Sequence, residues 1–320
     1  MFRGKSMHHF LDFEKPISIL EGRIEDLKHL ASGDGLNVGI EVSKLEEQLE
    51  NQLKSTYSKL GAWEKVKVAR HPLRPHASDF IKSLFTDWQP LAGDRNFSED
   101  NAVLGGLGRF NNQPAVIIGI EKGRTVERRL HHNFGMVRPE GYRKAERLIK
   151  LAEKFNIPVF TFIDTAGAYP GKGAEERGQA EAIARCIKTS LNASVPIIST
   201  ITGEGGSGGA VALATGNIVL MLEHSIYSVI SPEGCSSILW RSSDHSKDAA
   251  EALKVTAQDL LPLGVIDEIV SEPIGAAHRD PNSLMKTLES ILIKQLNSLQ
   301  KYSSEELVLN RKKRFINIGL

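Results

Sequence analysis

Residues 200–223 read TITGEGGSGGAVALATGNIVLMLE, an order of residue types that predicts a strand, a glycine-rich turn, a short helix and a second strand. Three motif patterns overlap here. Gly203, Gly205 and Gly208 match the G-x-G-x-x-G of a dinucleotide-binding turn, and the residues around Ser207 match the G-x-S-x-G of a hydrolase nucleophile elbow. The third interpretation is a turn whose backbone N–H groups bind an anion. Evidence from the rest of the chain is needed to choose among these three interpretations.

Strand and helix patterns continue to alternate on both sides of this stretch. Apolar runs bounded by turn residues predict strands at 102–110, 113–123, 158–165 and 195–206. Periodic apolar positions predict helices at 138–157, at 174–194 and from Pro232 onward. Because strands and helices alternate, we expect an α/β fold in which helices cover both faces of a sheet.

Helices are also predicted at both ends of the chain. Residues 14–30 and 41–60 carry narrow apolar stripes, and the glycine-rich link 31–39 is typical of a turn, so we expect an αα-hairpin with a packing role. Residues 281–320 read as helices, and their basic run NRKKRF predicts a solvated surface or a loose end. The predicted divisions are an N-terminal helical region (1–95), a core (96–280) and a C-terminal helical tail (281–320).

The composition limits the possible functions. The 320 residues are 41% apolar and 25% charged with a net charge of +1, which gives no field that would favour nucleic acid or an anionic membrane. The two cysteines, Cys186 and Cys235, cannot form a zinc site by themselves and indicate a reducing compartment. The sequence has no signal-peptide pattern and no uncharged apolar run of roughly 18 residues. We expect a cytoplasmic protein.

Context weakens two of the three motif matches. A dinucleotide-binding turn normally opens the first strand–helix unit of a domain, whereas this turn follows at least two such units and precedes a short helix. A nucleophilic serine would need an acid and a histidine later in the chain. The pairs Asp244–His245 and Asp267–His278 have that order but no flanking signature, so we expect Ser207 to cap the following helix.

The backbone interpretation requires only glycines. Gly205, Gly206, Gly208 and Gly209 have no side chains, so a ligand oxygen could approach their N–H groups, beside the positive end of the helix that follows. Such donors can form an oxyanion hole. The alternative is that these glycines serve only the close packing of the helix on the sheet.

A basic run, EKGRTVERRLHHNFG, covers residues 121–135. It is typical of a solvated loop, but its Lys122 and Arg124 could instead bind phosphate groups. The adjacent His131 and His132 are poorly spaced to bind one metal ion, and we expect both at the surface.

Several long runs resemble the α subunits of the carboxyltransferase of bacterial-type acetyl-CoA carboxylase. The main runs are RPEGYRKAERLIKLAEKFNIPVFTFIDTAGAYPGKGAEERGQAEAIA (138–184), GEGGSGGA (203–210) and YSVISPEGCSSILW (227–240). They are extended by ARHPLRPHASDFI (69–81), LAGDRNFSEDNAVLGGLGR (91–109) and EPIGAAHRD (272–280), so the resemblance covers nearly the whole chain. This sequence has Ala166 where the family usually has proline, and His132 where it usually has arginine.

The resemblance implies a crotonase-like fold, a spiral of repeated ββα units, with an N-terminal helical hairpin and C-terminal helices added. It implies transfer of a carboxyl group from biotin, carried on a biotin carboxyl carrier protein, to acetyl-CoA. The product is malonyl-CoA, and the reaction is the first committed step of fatty acid synthesis. Family members work as α2β2 with a β subunit that bears a zinc ribbon, and ATP binds to a separate biotin carboxylase. We therefore expect no metal, ATP, membrane or nucleic acid bound to this chain.

The resemblance also implies a site built from backbone groups, because the family uses one oxyanion hole from each subunit type. The residues predicted to contact carboxybiotin are Gly205, Gly206, Gly208 and Gly209, with Ala166 or Gly167 helping from the neighbouring loop. Lys122 and Arg124 are candidate contacts for the phosphates of CoA. The alternatives are a carboxyltransferase for another acyl-CoA and a non-catalytic scaffold subunit of the same fold.

Overall fold

The computed structural model describes residues 9–34 and 39–319 of the chain. Its strands are β1 (Thr86–Pro90), β2 (Val103–Phe110), β3 (Gln113–Ile120), β4 (Val159–Thr165), β5 (Ile197–Gly206), β6 (Ile218–Leu222), β7 (Ile226–Ser228) and β8 (Glu268–Val270). Its α-helices are α1 (Lys15–Asp34), α2 (Gly39–Tyr57), α3 (Ala62–Ala69), α4 (Ala77–Leu84), α5 (Val126–His131), α6 (Pro139–Phe155), α7 (Lys172–Glu176), α8 (Gln179–Asn192), α9 (Ser207–Val211), α10 (Pro232–Trp240), α11 (Ser246–Ala252), α12 (Ala257–Leu260), α13 (Pro281–Leu299) and α14 (Ser304–Ile316). Within these residues, no helix has both the length and the apolar character that crossing a membrane requires.

The strands form one sheet with the order β1-β2-β3-β4-β5-β6-β8, and β7 pairs with the end of β5. The first three strands pair antiparallel. Every pair from β3–β4 onward is parallel, and helices connect successive strands here except β6 and β7, which residues 223–225 join. The predicted α/β class is therefore confirmed.

The hairpin between β2 and β3 follows from its two asparagines. Asn111 and Asn112 have φ angles of +46° and +61°, and Phe110 pairs with Gln113 across them. Two adjacent residues with positive φ give the turn a twist that matches the twist of the flanking strands. The turn predicted at this position is confirmed.

Backbone conformation also sets the helix boundaries on either side of β4. Pro139 occupies the first turn of α6, and Asn156 ends that helix in the left-handed region, as expected for a helix at 138–157. The single helix predicted at 174–194 is instead two helices, α7 and α8. Gly178 has a φ angle of +80°, which interrupts the helical hydrogen bonding between them.

Successive residues of each central strand pack on opposite faces of the sheet. In β3, Val116 and Ile118 belong to the core shared with α6 and α8, whereas Ile117 belongs to the core shared with α4, α13 and α14. The second core thus joins helices from both ends of the chain. β1 lies inside the region that the sequence predicts as helical, so residues 1–95 also contribute a strand to the sheet.

The predicted N-terminal hairpin is present as α1 and α2. Leu53 and Tyr57 of α2 are buried, and the Tyr57 hydroxyl donates a hydrogen bond of 2.9 Å to Oε1 of Glu14. α1 continues to Asp34, four residues into the predicted turn, and the next part of that turn, 35–38, lies outside the described residues.

The basic run near the C-terminus is not simply solvated. Arg311 of α14 is fully buried, and its guanidinium donates to the carbonyl oxygens of Ser190, Ala193 and Val195 at 2.6–2.7 Å. Its neighbour Lys312 is exposed. The prediction of a solvated surface is therefore wrong for Arg311, which fixes α14 to the segment that follows α8.

Candidate active site

The candidate site lies where β4 and β5 end. These strands are parallel neighbours, so their carboxyl ends meet at one edge of the sheet, the usual place for ligand sites in α/β folds. Thr165, the last residue of β4, pairs with Gly205 of β5. A Cβ atom added to Gly206 would lie 2.3 Å from the carbonyl oxygen of Ala166. The backbones at these two positions are therefore in direct contact.

β5 extends through Gly205 and Gly206 and ends there, as predicted for the strand at 195–206. These residues pair with Tyr227 and Ser228 of β7. Gly205 is buried, whereas Gly206 and Gly208 are half-buried, and Gly209 is buried again. The accessible backbone is consequently limited to residues 206–208.

Ser207 is the first residue of α9 and does not cap it. Gly206 occupies the capping position, and no side chain accepts a capping hydrogen bond there. The predicted role of Ser207 as a cap is wrong because the strand runs directly into the helix. Ser207 has a φ angle of +56°, which is uncommon for a residue with a side chain. α9 has only five residues, so it supplies a smaller dipole than the prediction assumed.

One member of each acid–histidine pair considered for Ser207 is engaged elsewhere. His245 lies 3.1 Å from Oδ2 of Asp248, within its own helical turn. Asp267 accepts a hydrogen bond of 2.9 Å from Nε of Arg314. The site therefore offers backbone groups rather than a serine–histidine–acid triad.

The loop after β4 contributes Ala166 and Gly167. Gly167 has a φ angle of +144°, a conformation that residues with side chains rarely adopt. Its N–H donates a 3.0 Å hydrogen bond to Oγ1 of Thr165, and that hydroxyl lies 2.6 Å from the carbonyl oxygen of Gly135. Because the Gly167 amide is used inside the loop, the exposed Ala166 is the more accessible of the two predicted residues.

Two cavities flank the accessible backbone. A polar cavity of about 220 Å³ is lined by Ala166 together with Arg70, Lys122, Asp164 and Glu204, among others. A cavity of about 310 Å³ with mostly apolar walls is lined by Ser207, Gly208, Val211, Tyr227 and Leu260, among others. The two sides of the site therefore differ in chemistry, one ionic and one apolar.

Charged side chains that follow or end β3, β4 and β5 meet at the polar cavity. Nζ of Lys122 lies 2.7 Å from Oδ1 of Asp164 and 2.6 Å from Oε2 of Glu204. Nε of Arg70, at the end of α3, donates to Oε1 of Glu204 at 2.6 Å. The same guanidinium contacts Glu233 at the start of α10 at 2.5 Å. We call these five residues the charge network.

Burial and ion pairing act in opposite directions on the charge network. Burial by itself would raise the pKa of Glu204, but Lys122 and Arg70 reverse the effect and lower that pKa to about 2. Burial would lower the pKa of Lys122, but Asp164 and Glu204 reverse that effect and raise it. Glu204 and Lys122 are therefore both ionised at neutral pH.

No sequence motif marks Glu204 or Arg70 as a site residue. They are 134 positions apart, so no local spacing could connect them. The available signal was their position inside two runs that carry the family resemblance, ARHPLRPHASDFI and GEGGSGGA.

Three other residues of the basic run, Arg124, His131 and His132, are not part of the charge network. Arg124 is half-exposed and binds Oδ2 of Asp79 at 2.7 Å. His131 is exposed as predicted, but His132 is buried and its Nδ1 lies 2.5 Å from a backbone carbonyl oxygen. The prediction that both histidines lie at the surface is wrong for His132.

Curated relatives match this chain over nearly its whole length. The acetyl-coenzyme A carboxylase carboxyl transferase subunit alpha of Paramagnetospirillum magneticum is 58% identical over 311 residues, which cover 97% of this chain and 98% of that protein. The subunit of the same name from Agrobacterium fabrum is 57% identical over 314 residues, which cover 98% of this chain and 99% of that protein.

A solved structure of transcarboxylase 12S is similar in fold. The TM-score is 0.56 at 16% sequence identity, and the match covers 70% of this chain and 42% of the transcarboxylase chain. The likeness confirms the predicted crotonase-like carboxyltransferase fold.

The family match includes every part of the site described above. The profile of the family described as "Acetyl co-enzyme A carboxylase carboxyltransferase-like" covers residues 10–319, which contain both strand ends, both cavities and the charge network. Together with the two full-length relatives, this match shows that the chain belongs to the acetyl co-enzyme A carboxylase carboxyltransferase-like family.

Proposed function

We propose that this chain is the α subunit of the carboxyltransferase of acetyl-CoA carboxylase. It transfers a carboxyl group from biotin on a carrier protein to acetyl-CoA, and the malonyl-CoA produced enters fatty acid synthesis. The observation that carries this proposal is the 57–58% identity to carboxyl transferase α subunits over nearly the full length of both chains.

We further propose that the accessible backbone at residues 206–208 binds the ureido group of biotin. Carboxybiotin, when bound, supplies the carboxyl group that is transferred. The site suits this group because Gly206 and Gly208 are only half-buried, and a Cβ atom on Gly208 would have its nearest contact, the Ile183 side chain, at 3.9 Å. N–H groups here, with Ala166 opposite, would donate to the ureido oxygen and stabilise negative charge on it. The adjacent cavity has mostly apolar walls, and a hydrogen bond in apolar surroundings is electrostatically stronger than one in water.

We propose that the partners are a β subunit with a zinc ribbon, the biotin carboxyl carrier protein and biotin carboxylase, with the α and β chains arranged as α2β2. An exposed apolar surface supports an assembly. On α10, Ile238, Leu239 and Trp240 are 71%, 66% and 42% exposed. Neighbouring apolar side chains at a protein surface often mark a site of protein–protein contact.

The function is tested by mixing the purified chain with the β subunit and measuring malonyl-CoA decarboxylation with free biotin. We expect activity from the mixture and little from either chain alone. A complex that assembles but shows no activity would favour the scaffold alternative. Running the same assay with other carboxylated acyl-CoA thioesters in place of malonyl-CoA would reveal a preference for an acyl group other than acetyl.

A further inference from the structure

We propose that Lys122 is a positioning residue for carboxyl transfer, which holds the ends of β4 and β5 together by pairing with Asp164 and Glu204. The inference rests on the proposed carboxyltransferase function. It gives Lys122 a role different from the contact with CoA phosphates that the sequence suggests.

The geometry places Lys122 between the two segments that carry the accessible backbone. Asp164 precedes Ala166 by two residues, and Glu204 precedes Gly206 by two residues. The Lys122 ammonium binds both carboxylates within 2.7 Å, and the backbone N–H of Glu204 donates to Oδ1 of Asp164 at 2.8 Å. A shift of either carboxylate would therefore move the backbone that faces the ligand.

Removing the Lys122 ammonium would leave two carboxylates close together and largely shielded from water. Their side chains are only 7% and 9% exposed. Among the described residues, Arg70 also neutralises Glu204, but Lys122 is the one cation within 4.0 Å of the Asp164 carboxylate. Repulsion between the carboxylates would separate the strand ends unless one of them took up a proton.

Because the variant can take up that proton, the positioning role predicts that its activity depends on pH. In the wild type, the pKa of Glu204 is about 2 and that of Lys122 is raised, so neither changes charge between pH 6 and 8. In Lys122→Met, acidification should protonate one of the paired carboxylates and restore their spacing. The other titratable groups at this cavity are Arg70, His71, His76 and Arg129, with Glu233 beyond Arg70, and all are common to both proteins. Their effects therefore cancel in the ratio of variant to wild-type activity.

The experiment compares kcat and KM for malonyl-CoA decarboxylation by variant and wild-type chains, each assembled with the β subunit. For Lys122→Met we expect a kcat at least tenfold lower at pH 8, a KM within twofold of wild type, and a variant-to-wild-type ratio that rises towards pH 6. Lys172→Met is the matched control, because Lys172 is 89% exposed and, among the residues that the structure describes, forms an ion pair only with Glu176. This control should match wild type in both constants.

A second variant keeps the test decisive if Lys122→Met does not fold. The double variant Lys122→Met/Glu204→Gln removes one charge of each sign, so it should fold, exceed the single variant in kcat at pH 8 and show a flat pH ratio. A double variant with no higher kcat than Lys122→Met at pH 8 would overturn the proposal, as would a Lys122→Met enzyme altered only in KM, which is the result expected of a phosphate contact. An inactive wild-type complex would instead refute the proposed function itself.

Discussion

Two glycines at the candidate site, Gly206 and Gly208, have different physical requirements. A Cβ atom on Gly206 would lie 2.3 Å from the carbonyl oxygen of Ala166, so the absence of a side chain lets the two strand ends touch. A Cβ atom on Gly208 would meet only Ile183, at 3.9 Å, which is an ordinary contact. Packing therefore requires glycine at 206, whereas at 208 it does not.

This difference predicts opposite outcomes for two alanine substitutions. Gly206→Ala should lower the free energy of unfolding by ~1–3 kcal/mol, because the loop after β4 must move to admit the methyl group. Gly208→Ala should change stability by less than ~0.5 kcal/mol. It should nevertheless reduce kcat/KM roughly tenfold, as expected for obstructing a backbone donor to the ligand. Urea denaturation and the decarboxylation assay measure the two effects.

The stability prediction for Gly206→Ala and the activity prediction for Gly208→Ala can each be contradicted independently. A Gly206→Ala chain as stable as the wild type would mean that the strand ends can separate without cost. Full activity of Gly208→Ala would place the ligand away from residue 208 and restrict the proposed contact to Gly206 and Ala166.

For individual residues, the sequence predicts that the glycines contribute to the site but not whether each one serves packing or ligand binding. The constraint on Gly206 comes from Ala166, forty positions earlier in the chain and on another strand. The Ser207 cap is wrong for a similar reason. Capping rules take account of neighbours along the chain, whereas pairing with β7 extends β5 up to the first residue of the helix.

Among the secondary-structure elements, α14 combines a correct prediction with an incorrect one. Its helical character follows from the sequence, but its basic run contains two arginines with remote partners, Arg314, which binds Asp267, and the fully buried Arg311. The partners of Arg311 include the carbonyl oxygens of Ser190, at the end of α8, and Ala193, just beyond it. Carbonyl groups at the end of a helix lack partners within the helix and attract cations. Burial lowers the pKa of Arg311 to about 10, so it still carries its charge at neutral pH.

Arg311→Met should therefore destabilise the chain strongly. The substitution keeps much of the apolar volume but removes the guanidinium donor from three carbonyl oxygens, and each that is left unsatisfied costs ~1–3 kcal/mol. We expect a loss of about 3 kcal/mol or more in urea denaturation. The matched control is Lys312→Met, at the exposed neighbouring position, which should stay within ~0.5 kcal/mol of wild type. Equal stability of the two variants would show that the buried guanidinium does not hold α14 in place.

For the whole molecule, the sequence predicts the class of fold more reliably than the connections within it. Alternating strand and helix patterns are local, and they correctly indicate a sheet covered on both faces. The charge network is not local, because its residues extend from Arg70 to Glu233 and meet only after the sheet has formed. The shared core of α4, α13 and α14 is likewise invisible to periodicity, which marks an apolar face but not its partner.

Another contact between remote segments joins His71 and His278. Their rings stack with centroids 3.8 Å apart, and Nε2 of His71 lies 2.7 Å from the carbonyl oxygen of His9. Burial lowers the pKa of both histidines, and their mutual repulsion together with the nearby Arg74 helps to bring that of His278 to about 2. Both rings are therefore neutral in the folded chain around neutral pH.

This contact predicts that global stability depends on pH. An unfolded histidine takes up its proton near pH 6.5, so the stability contributed by each neutral ring is complete well above that pH and is lost as the pH falls through it. The loss approaches ~1.4 kcal/mol per pH unit for each histidine until the folded pKa is reached. Glu204 and Glu272, with folded pKa values of about 2, add to this loss only below roughly pH 4.5.

Urea denaturation between pH 7.5 and 5.5 therefore isolates the contribution of the histidines to the pH dependence of stability. His278→Asn should reduce the slope of unfolding free energy against pH below pH 6.5 by up to ~1.4 kcal/mol per pH unit. The exposed His29 provides the control, His29→Asn, which should leave the slope unchanged. A wild-type slope in His278→Asn would mean that this ring is protonated in the folded chain and that the stack does not oppose acid unfolding.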